Sequence, residues 1–286
     1  MISNSNRKQL ASEALKASAA LRKKLGYDLS SPVNIYDLCE RSLVPVRFVE
    51  INMEGMYIHL GEGVKPTIFI SVLRPFHRKV YTCAHEFGHH HFGHGMNVDD
   101  ISTSDGSYTN EEFLADTFAS FLLMPPVGLK GAFIKRRLTF ENITSIDCFL
   151  VACSFGVGYS TLVKHLLSNS YIEKTKADFL LRKSVKSIKQ DIVGEDITTS
   201  LYVIDKHFSG KTIDVETSSY IVLPNDVVVE DEGSVEKIKN VFNGTLYKCL
   251  RPGITRVYAL SVDWSCFMRI QKFQYVGLSR YRHLSD

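Results

Sequence analysis

Two histidines four positions apart, inside a segment with the pattern of a helix, constrain this chain more than any other feature. They belong to the run Ala84-His85-Glu86-Phe87-Gly88-His89, an HExxH sequence. Residues four apart share one face of an α-helix, so both imidazoles can point at a single metal ion, and imidazole is a preferred zinc ligand. Glu86 lies next to His85, where its carboxylate can serve as a general base. The motif therefore predicts a zinc hydrolase.

The residues around the motif have the pattern of a helix that follows a strand. The predicted helix covers about residues 74–94, and Gly93 and Gly95 are its stop signals. Its apolar stripe, at helical spacing, consists of Val80, Cys83, Ala84 and Phe87. Before it, residues 67–71 have the composition of a strand, with residues 56–59 as the expected partner. The edge of such a sheet can pair with an extended peptide.

A third metal ligand is expected from a second predicted helix, at residues 110–124. Glu112 and Asp116 share one face of this helix because they are four residues apart. We assign Glu112 as the ligand, and Asp116 then lies one turn further on, where it can accept the free N–H of a ligand histidine. Thr109 and Glu112 also form a capping box, which would explain Glu112 by helix initiation alone. Glu111 is the rival ligand, but the residue four positions after it is an alanine.

Other histidine-rich metal sites fit the sequence less well. The pattern HExxHxxGxxH would need glycine at position 92 and histidine at position 95, where the chain has Phe92 and Gly95. His94 misses the required place by one residue. We therefore expect the remaining histidines of the run to lie on helix faces rather than to bind the metal; they are His90, His91 and His94. The candidates for contact with substrate or with a developing oxyanion are His94, Tyr57 and Tyr108.

These two segments resemble the ImmA/IrrE family of metallopeptidases. Residues 82–89 are similar to the family's T-x-A-H-E-x-G-H helix, and residues 112–125 to its E-x-x-A-(N/D)-x-F-A-x-x-L-L-M-P helix. The resemblance covers about residues 8–170 and leaves the C-terminal third unmatched. It implies a gluzincin-like core with Glu86 as base and with zinc held by His85, His89 and Glu112. Asp116 stands where the family often has asparagine, and either residue can hold a ligand histidine.

The resemblance also implies a biological role. Typical members cut a helix-turn-helix transcriptional repressor at one site and so release a stress, prophage or mobile-element response. We therefore expect a zinc-dependent endopeptidase that acts on one specific protein, with manganese as the alternative ion because these ligands admit several metals. Two alternatives stay open. One is a non-catalytic zincin-fold binding module of a toxin–antitoxin or phage-defence pair, and the other is a DNA-binding regulator.

The composition is that of a globular chain without a visible membrane or export signal. The chain has 286 residues, which is enough for two domains. Of these residues, 44% are hydrophobic and 23% are charged. We expect no transmembrane helix, since no run of about 18 apolar residues occurs, and no signal peptide, since the N-terminus lacks an apolar core. The six cysteines form no CxxC motif. We therefore expect reduced thiols and a cytoplasmic location.

A weaker signal indicates a helix-turn-helix. Two predicted helices, residues 146–154 and 159–167, flank a Phe-Gly-Val-Gly turn. The net charge is only +3, and the second helix carries one cationic side chain, Lys164, whereas DNA recognition usually needs several. Basic residues crowd residues 135–137 and 174–189 instead, and such runs are most often solvated helix faces. We favour a structural or substrate-docking role for this unit over direct nucleic-acid binding.

The sequence thus predicts an α+β fold in three parts. Residues 1–140 form a zincin-like metallopeptidase core, and residues 141–190 form a helix-turn-helix-like unit and linker. Residues 191–286 form a β-rich, sandwich- or barrel-like domain with a sensor or partner-binding role, because short strands alternate there with turn residues. Its one predicted helix is Ser234 to Asn240. The polar loop 97–108 is either a lid over the site or a plain connection.

Overall fold

Helices and short mixed sheets build the chain, as expected for an α+β fold. The computed structural model describes residues 3–61, 63–94, 109–241 and 244–284. Within these ranges it holds nine α-helices and three four-stranded sheets, which confirms the predicted fold class. The loop 97–108, predicted as a lid or a connection, lies outside the described residues.

The helices and strands have the following bounds. The helices are α1 (Asn4–Lys24), α2 (Ile35–Arg41), α3 (Phe76–Phe92), α4 (Asn110–Leu123), α5 (Pro126–Lys135), α6 (Ser145–Ser154), α7 (Tyr159–Ser168), α8 (Lys174–Arg182) and α9 (Val185–Val193). The strands are β1 (Val46–Val49), β2 (Gly55–Ile58), β3 (Thr67–Ser71), β4 (Leu201–Val203), β5 (Thr212–Glu216), β6 (Tyr220–Leu223), β7 (Val227–Val229), β8 (Val235–Val241), β9 (Gly244–Cys249), β10 (Gly253–Ala259), β11 (Ser265–Gln271) and β12 (Gly277–Leu278). Among the described residues no single helix is long and apolar enough to cross a bilayer. Two bent helix pairs, α4–α5 and α6–α7, reach the necessary length and apolar composition when both helices of a pair are taken together.

The chain divides into two units. The first contains the residues before 75, residues 78–128 and the C-terminal segment 276–280. The second contains residues 75–77, residues 129–275 and the residues from 281 onwards. The segment 276–280 is a feature that the sequence did not indicate, because it lies within the region predicted as a single β-rich domain. The three domain boundaries drawn from the sequence stay a prediction.

The sheet of the first unit leaves one strand at its edge beside α3. Its order is β12-β1-β3-β2, with β1 and β3 parallel and the two outer strands antiparallel to their neighbours. Gly55 in β2 lies against α3. A Cβ atom there would lie 2.7 Å from Thr82 Cγ2 and 2.8 Å from the carbonyl oxygen of Phe69. Only glycine permits this approach, which brings β2 close to the helix that carries the HExxH motif.

A buried arginine holds α1 to the end of α4. The side chain of Arg22 is 1% exposed, and its guanidinium donates to the carbonyl oxygen of Leu122 at 2.7 Å. It also donates to the carbonyl oxygens of Asp28, at 2.8 and 3.0 Å, and of Ser31. Burial lowers the pKa of Arg22 to about 10, against the opposing effect of the Asp28 charge. These bonds satisfy the buried donors and fix the loop after α1 onto the C-terminal end of α4.

The second unit contains the predicted helix-turn-helix-like pair. Helices α6 and α7 lie at 99° to each other, within the range of that motif. Thr144 and Asp147 form a capping box at the start of α6, and Gly156 in the turn has a φ of +67°, which favours glycine. The two helices begin and end within one residue of their predicted bounds. The geometry of the pair is therefore as predicted, and its role stays a prediction.

Two further four-stranded sheets belong to the second unit. Their orders are β5-β11-β10-β7 and β4-β6-β9-β8, and each contains one parallel pair among antiparallel neighbours. Alternation along β11 buries Cys266, Met268 and Ile270 on one face. Each sheet has two end strands, so the described residues of the second unit do not form the closed barrel that was one of the two predicted forms. The predicted β-rich character of the C-terminal third is confirmed.

The helix predicted at Ser234 to Asn240 is wrong, because residues 235–241 form β8. This strand pairs antiparallel with β9, and a register shift lies between Lys237 and Lys239. Such a bulge interrupts the two-residue alternation of a strand. The apolar residues therefore fall three apart, which is a helical spacing, although the backbone is extended; they are Val235, Ile238 and Val241.

A buried ion cluster links β5 and β11 to the C-terminal residues of the second unit. Asp214 accepts from Arg269 Nε at 2.6 Å and also pairs with Arg282. The exposed fractions of the three side chains are 6%, 11% and 3%. Burial alone would raise the pKa of Asp214, but the two guanidinium groups hold it well below its usual range. Removing the charge of Asp214 would destabilise this region, because each guanidinium that faces it is desolvated.

Candidate metal centre

The three predicted ligands meet at one point between α3 and α4. His85 Nε2 and His89 Nε2 lie 3.0 Å apart, and each lies 3.3 Å from a carboxylate oxygen of Glu112. Their candidate ligand atoms all lie within 4.8 Å of one another. The side chains are partly exposed, at 17%, 11% and 29%, so the point can be reached from solvent. The structure thus brings together the three residues that the sequence singled out.

Small residues at the helix contact allow this convergence. A Cβ atom at Gly88 would lie 3.1 Å from Ala115 Cα and 3.2 Å from the Ala115 carbonyl oxygen. Helices α3 and α4 therefore touch backbone to backbone, one turn or less from the ligands. Thr109 begins α4 by accepting the N–H of Glu112 at 3.2 Å, while the Glu112 carboxylate faces the histidines. Helix capping thus accounts for the backbone of Glu112 and leaves its side chain for the site.

Replacing Gly88 with alanine is expected to lower the free energy of unfolding by about 1–3 kcal/mol, because the added methyl group meets backbone that cannot move aside without separating the helices. Gly131 in α5 is the matched control, since a Cβ there meets nothing within 4 Å. Gly131→Ala should stabilise the chain by about 0.5–1 kcal/mol through helix propensity alone. Urea unfolding of both variants checks this, and a stabilised Gly88→Ala protein would contradict the close contact.

A carboxylate orients the first histidine. His85 Nδ1 lies 2.8 Å from Asp116 Oδ1, so the Nδ1–H can be donated to the carboxylate while Nε2 faces the other ligands. Tyr81 in turn donates towards Asp116, with its hydroxyl 3.2 Å from the carbonyl oxygen and 3.5 Å from Oδ1, and it lies 3.2 Å from the hydroxyl of Ser120. Asp116 thus has the geometry predicted for it. Tyr81 and Ser120 were not predicted, although both share the helix faces of the motif residues.

The second histidine has a different partner. His89 Nδ1 lies 3.0 Å from His94 Nδ1, and the ring centroids are 5.1 Å apart. The structure places Nδ1 of His94 against the candidate ligand His89, and the predicted contact of His94 with substrate or an oxyanion stays a prediction. The only sequence feature that indicates this position of His94 is Gly93, because a glycine there allows the chain to turn back at the end of α3.

The candidate base lies beside the ligands under β2. Burial raises the pKa of the Glu86 carboxyl, and the charges of His85 and His89 and the backbone N–H of Tyr57 act in the opposite direction. The Tyr57 hydroxyl lies 2.9 Å from His90 Nδ1. The side chain of Tyr57, a candidate for oxyanion contact, is therefore engaged with α3. Tyr108, the other tyrosine candidate, lies outside the described residues.

Two of the three candidate ligands, His85 and Glu112, have strongly shifted pKa values. Burial lowers the pKa of His85, but hydrogen bonds to Asp116 and Glu112 outweigh it and raise the value to about 10. The pKa of Glu112 is held well below its usual range by its hydrogen bonds to His85 and His89. The Glu112 carboxylate is therefore charged where it faces the two imidazoles.

The donor set fits a divalent metal. Two imidazole nitrogens and one carboxylate are the protein ligands of a catalytic zinc site, and such a site keeps a position open. In both histidines Nε2 faces the other candidate ligands, and Nδ1 lies against a partner, Asp116 for His85 and His94 for His89. A metal-binding histidine is typically held in this way. Manganese is compatible with the same set.

Some of the cations in the basic segments pair with neighbouring carboxylates. In the segment 174–189, Lys183 pairs with Asp191, and Lys186 pairs with Asp196 at 2.6 Å. In the run 135–137, Arg136 makes two bonds of 2.7 Å to Asp205, and its side chain is 6% exposed. These pairs reduce the positive field that nucleic-acid binding requires.

Comparison with known proteins matches one part of the chain to a family model. Residues 39–167 match the family model described as the IrrE N-terminal-like domain, Peptidase_M78. No curated protein matches the chain. The chain thus contains a zincin-like domain of this peptidase family, and the resemblance seen in its two motif helices is confirmed over that range. The matched residues include the three candidate ligands, Glu86, Asp116 and His94.

Proposed function

We propose, from the Peptidase_M78 domain at residues 39–167, that the chain is a zinc-dependent endopeptidase that cuts one specific protein. The observation that carries the proposal is the convergence of the ligand atoms of His85, His89 and Glu112 within 4.8 Å of one another. The Glu86 carboxyl interacts electrostatically with all three. A structural zinc site would be closed by a fourth protein ligand. The group found here has two imidazoles and one carboxylate, which is the protein ligand set of catalytic zinc sites.

The chain's own residues supply the proton chemistry. A bound zinc ion would supply Lewis acidity and make water nucleophilic near neutral pH. Glu86 takes the proton of the attacking water as the bond to the scissile carbonyl carbon forms. It gives that proton to the amine nitrogen as the C–N bond breaks. The raised pKa of Glu86 suits both proton transfers. A group that acts first as a base and then as an acid works best when its pKa is close to the working pH. Asp116 holds His85 in one tautomer throughout.

The position of β2 supports an extended substrate. Strand β2 is an end strand of its sheet and pairs with β3 alone among the described residues. An extended segment can add to such an edge through main-chain hydrogen bonds. The N–H of Tyr57 is already directed to Glu86, so the edge is also tied to the base. We infer that the substrate presents an exposed, unfolded segment of a protein rather than a folded surface.

We propose that this substrate is a helix-turn-helix transcriptional repressor, whose cleavage releases a stress, prophage or mobile-element response in the cytoplasm. The family resemblance and the extended-substrate geometry support this choice. The metal used is zinc, with manganese as the alternative.

The test is cleavage of candidate repressors by the purified, zinc-loaded full-length chain. Repressors encoded beside the gene are incubated with it, and intact-mass spectrometry records the products. We expect one cut in one repressor, abolished by a chelator and restored by added zinc. Stable binding of a repressor without any cut, by a zinc-loaded chain, would overturn the peptidase proposal in favour of a non-catalytic binding module.

A further inference from the structure

We propose that His94 is a positioning residue of the metal site, which accepts the Nδ1–H of His89 and so presents His89 Nε2 to the metal. The inference rests on the proposed metal-dependent function. It assigns to His94 a role different from contact with substrate, and it concerns a residue outside the HExxH motif. The two ligand histidines are then held by different groups, His85 by a carboxylate and His89 by an imidazole.

The backbone after α3 delivers His94 to this place. Gly93 has a φ of +68°, and the N–H of His94 donates to the carbonyl oxygen of His89 at 3.0 Å. The N–H of Gly93 donates to the carbonyl oxygen of His90 at 3.2 Å. This is a Schellman motif, in which a left-handed glycine ends the helix and folds the next residue back over the last turn. The residue that lands on His89 is therefore His94, not the residue at position 95.

The side chains meet through their Nδ1 atoms. The distance of 3.0 Å is that of a hydrogen bond, and the rings lie at 66° to each other. Two facing imidazole nitrogens can share only one proton. When His89 binds metal through Nε2, its proton must sit on Nδ1, so His94 Nδ1 is the acceptor and the His94 proton sits on Nε2. Phe92 stacks on the His94 ring at 5.7 Å and 22°, which helps to hold this orientation.

The choice of acceptor has a chemical consequence. A neutral imidazole orients His89 without adding a further negative charge to the site, whereas a carboxylate there would add one. The site already has three carboxylates near it, Glu86, Glu112 and Asp116, and His94 adds a neutral acceptor after the end of α3. Partners of this kind typically change metal affinity by about 10- to 100-fold when removed.

The experiment measures zinc affinity of the full-length chain by competition with a chromophoric chelator. His94→Ala should bind zinc about 10- to 100-fold more weakly than wild type. His94→Asn should recover most of that affinity, because the amide oxygen is joined to the γ carbon as Nδ1 is in histidine. His59, an exposed residue beyond β2, provides the control, and His59→Ala should bind zinc as wild type does.

A second readout uses the wild-type protein and needs no variant to fold. A two-bond proton–nitrogen NMR spectrum of the zinc-loaded chain should show His89 Nδ1 protonated and His94 Nδ1 without a proton. The reverse proton assignment would overturn the inference, as would wild-type zinc affinity in His94→Ala or no recovery in His94→Asn. If the wild-type chain binds no zinc at all, the proposed function fails together with this inference. The other contrary outcomes overturn only the positioning role of His94.

Discussion

Glu86→Gln is expected to slow cleavage of the substrate by about 100- to 10,000-fold while one zinc ion stays bound to each chain. Glutamine has the size of glutamate and can still accept the N–H of Tyr57, but it cannot take a proton from water. Glu86 is not among the three clustered ligands, so zinc should stay. Cleavage rates and metal content, measured on the same preparation, separate loss of the base from loss of the metal.

Glu111→Gln is the matched control for that variant. Glu111 is the exposed neighbour of Glu112 in the first turn of α4, and it lies outside the cluster of ligands. The same loss of charge there should leave cleavage and zinc content as in wild type. Cleavage by Glu86→Gln at the wild-type rate would remove Glu86 as the base. An equal loss in Glu111→Gln would point to a general charge effect.

Asp214→Ala is expected to lower the free energy of unfolding by about 3–5 kcal/mol, because it removes the buried carboxylate that two desolvated guanidinium groups share. The side chains of Arg269 and Arg282 are 11% and 3% exposed, so water cannot replace the carboxylate. Urea unfolding measures the loss. Asp196→Ala is the control, since its ion pair with Lys186 is 46% and 69% exposed and should contribute about 0–1 kcal/mol.

The same cluster predicts a pH dependence with a definite sign. The folded-state pKa of Asp214 lies well below its usual range, so its stabilising effect is complete above the unfolded value of about 3.9. The effect is lost as the pH falls below that value and the carboxylate becomes protonated. The difference in unfolding free energy between wild type and Asp214→Ala should therefore shrink in acid. A difference that is constant between neutral pH and about pH 3 would contradict the buried ion cluster.

The parts of the fold that follow local patterns could be predicted. Strand β3 has its predicted bounds, and α4 differs by one residue, because turn signals and helical spacing act over a few neighbours. The candidate ligands also follow from spacing, since four residues make one face of a helix. The helix at 234–240 was wrong because a bulge in β8 produced a helical spacing in an extended strand.

The parts that depend on distant contacts could not be predicted. Nothing local marks Gly277 and Leu278 as the strand that pairs with β1. The place of His94 depends on a left-handed glycine at position 93, and that of Tyr81 on the packing of α3 against α4. Sequence spacing therefore identified which residues could bind the metal, and the tertiary contacts identified which residues orient them.

The most direct measurement is the zinc content of the purified chain after zinc loading, beside His89→Ala and Glu112→Ala. The convergence of both side chains with His85 predicts one zinc ion per wild-type chain and none in either variant. No zinc in the wild-type chain, or undiminished zinc in both variants, would contradict the metal centre.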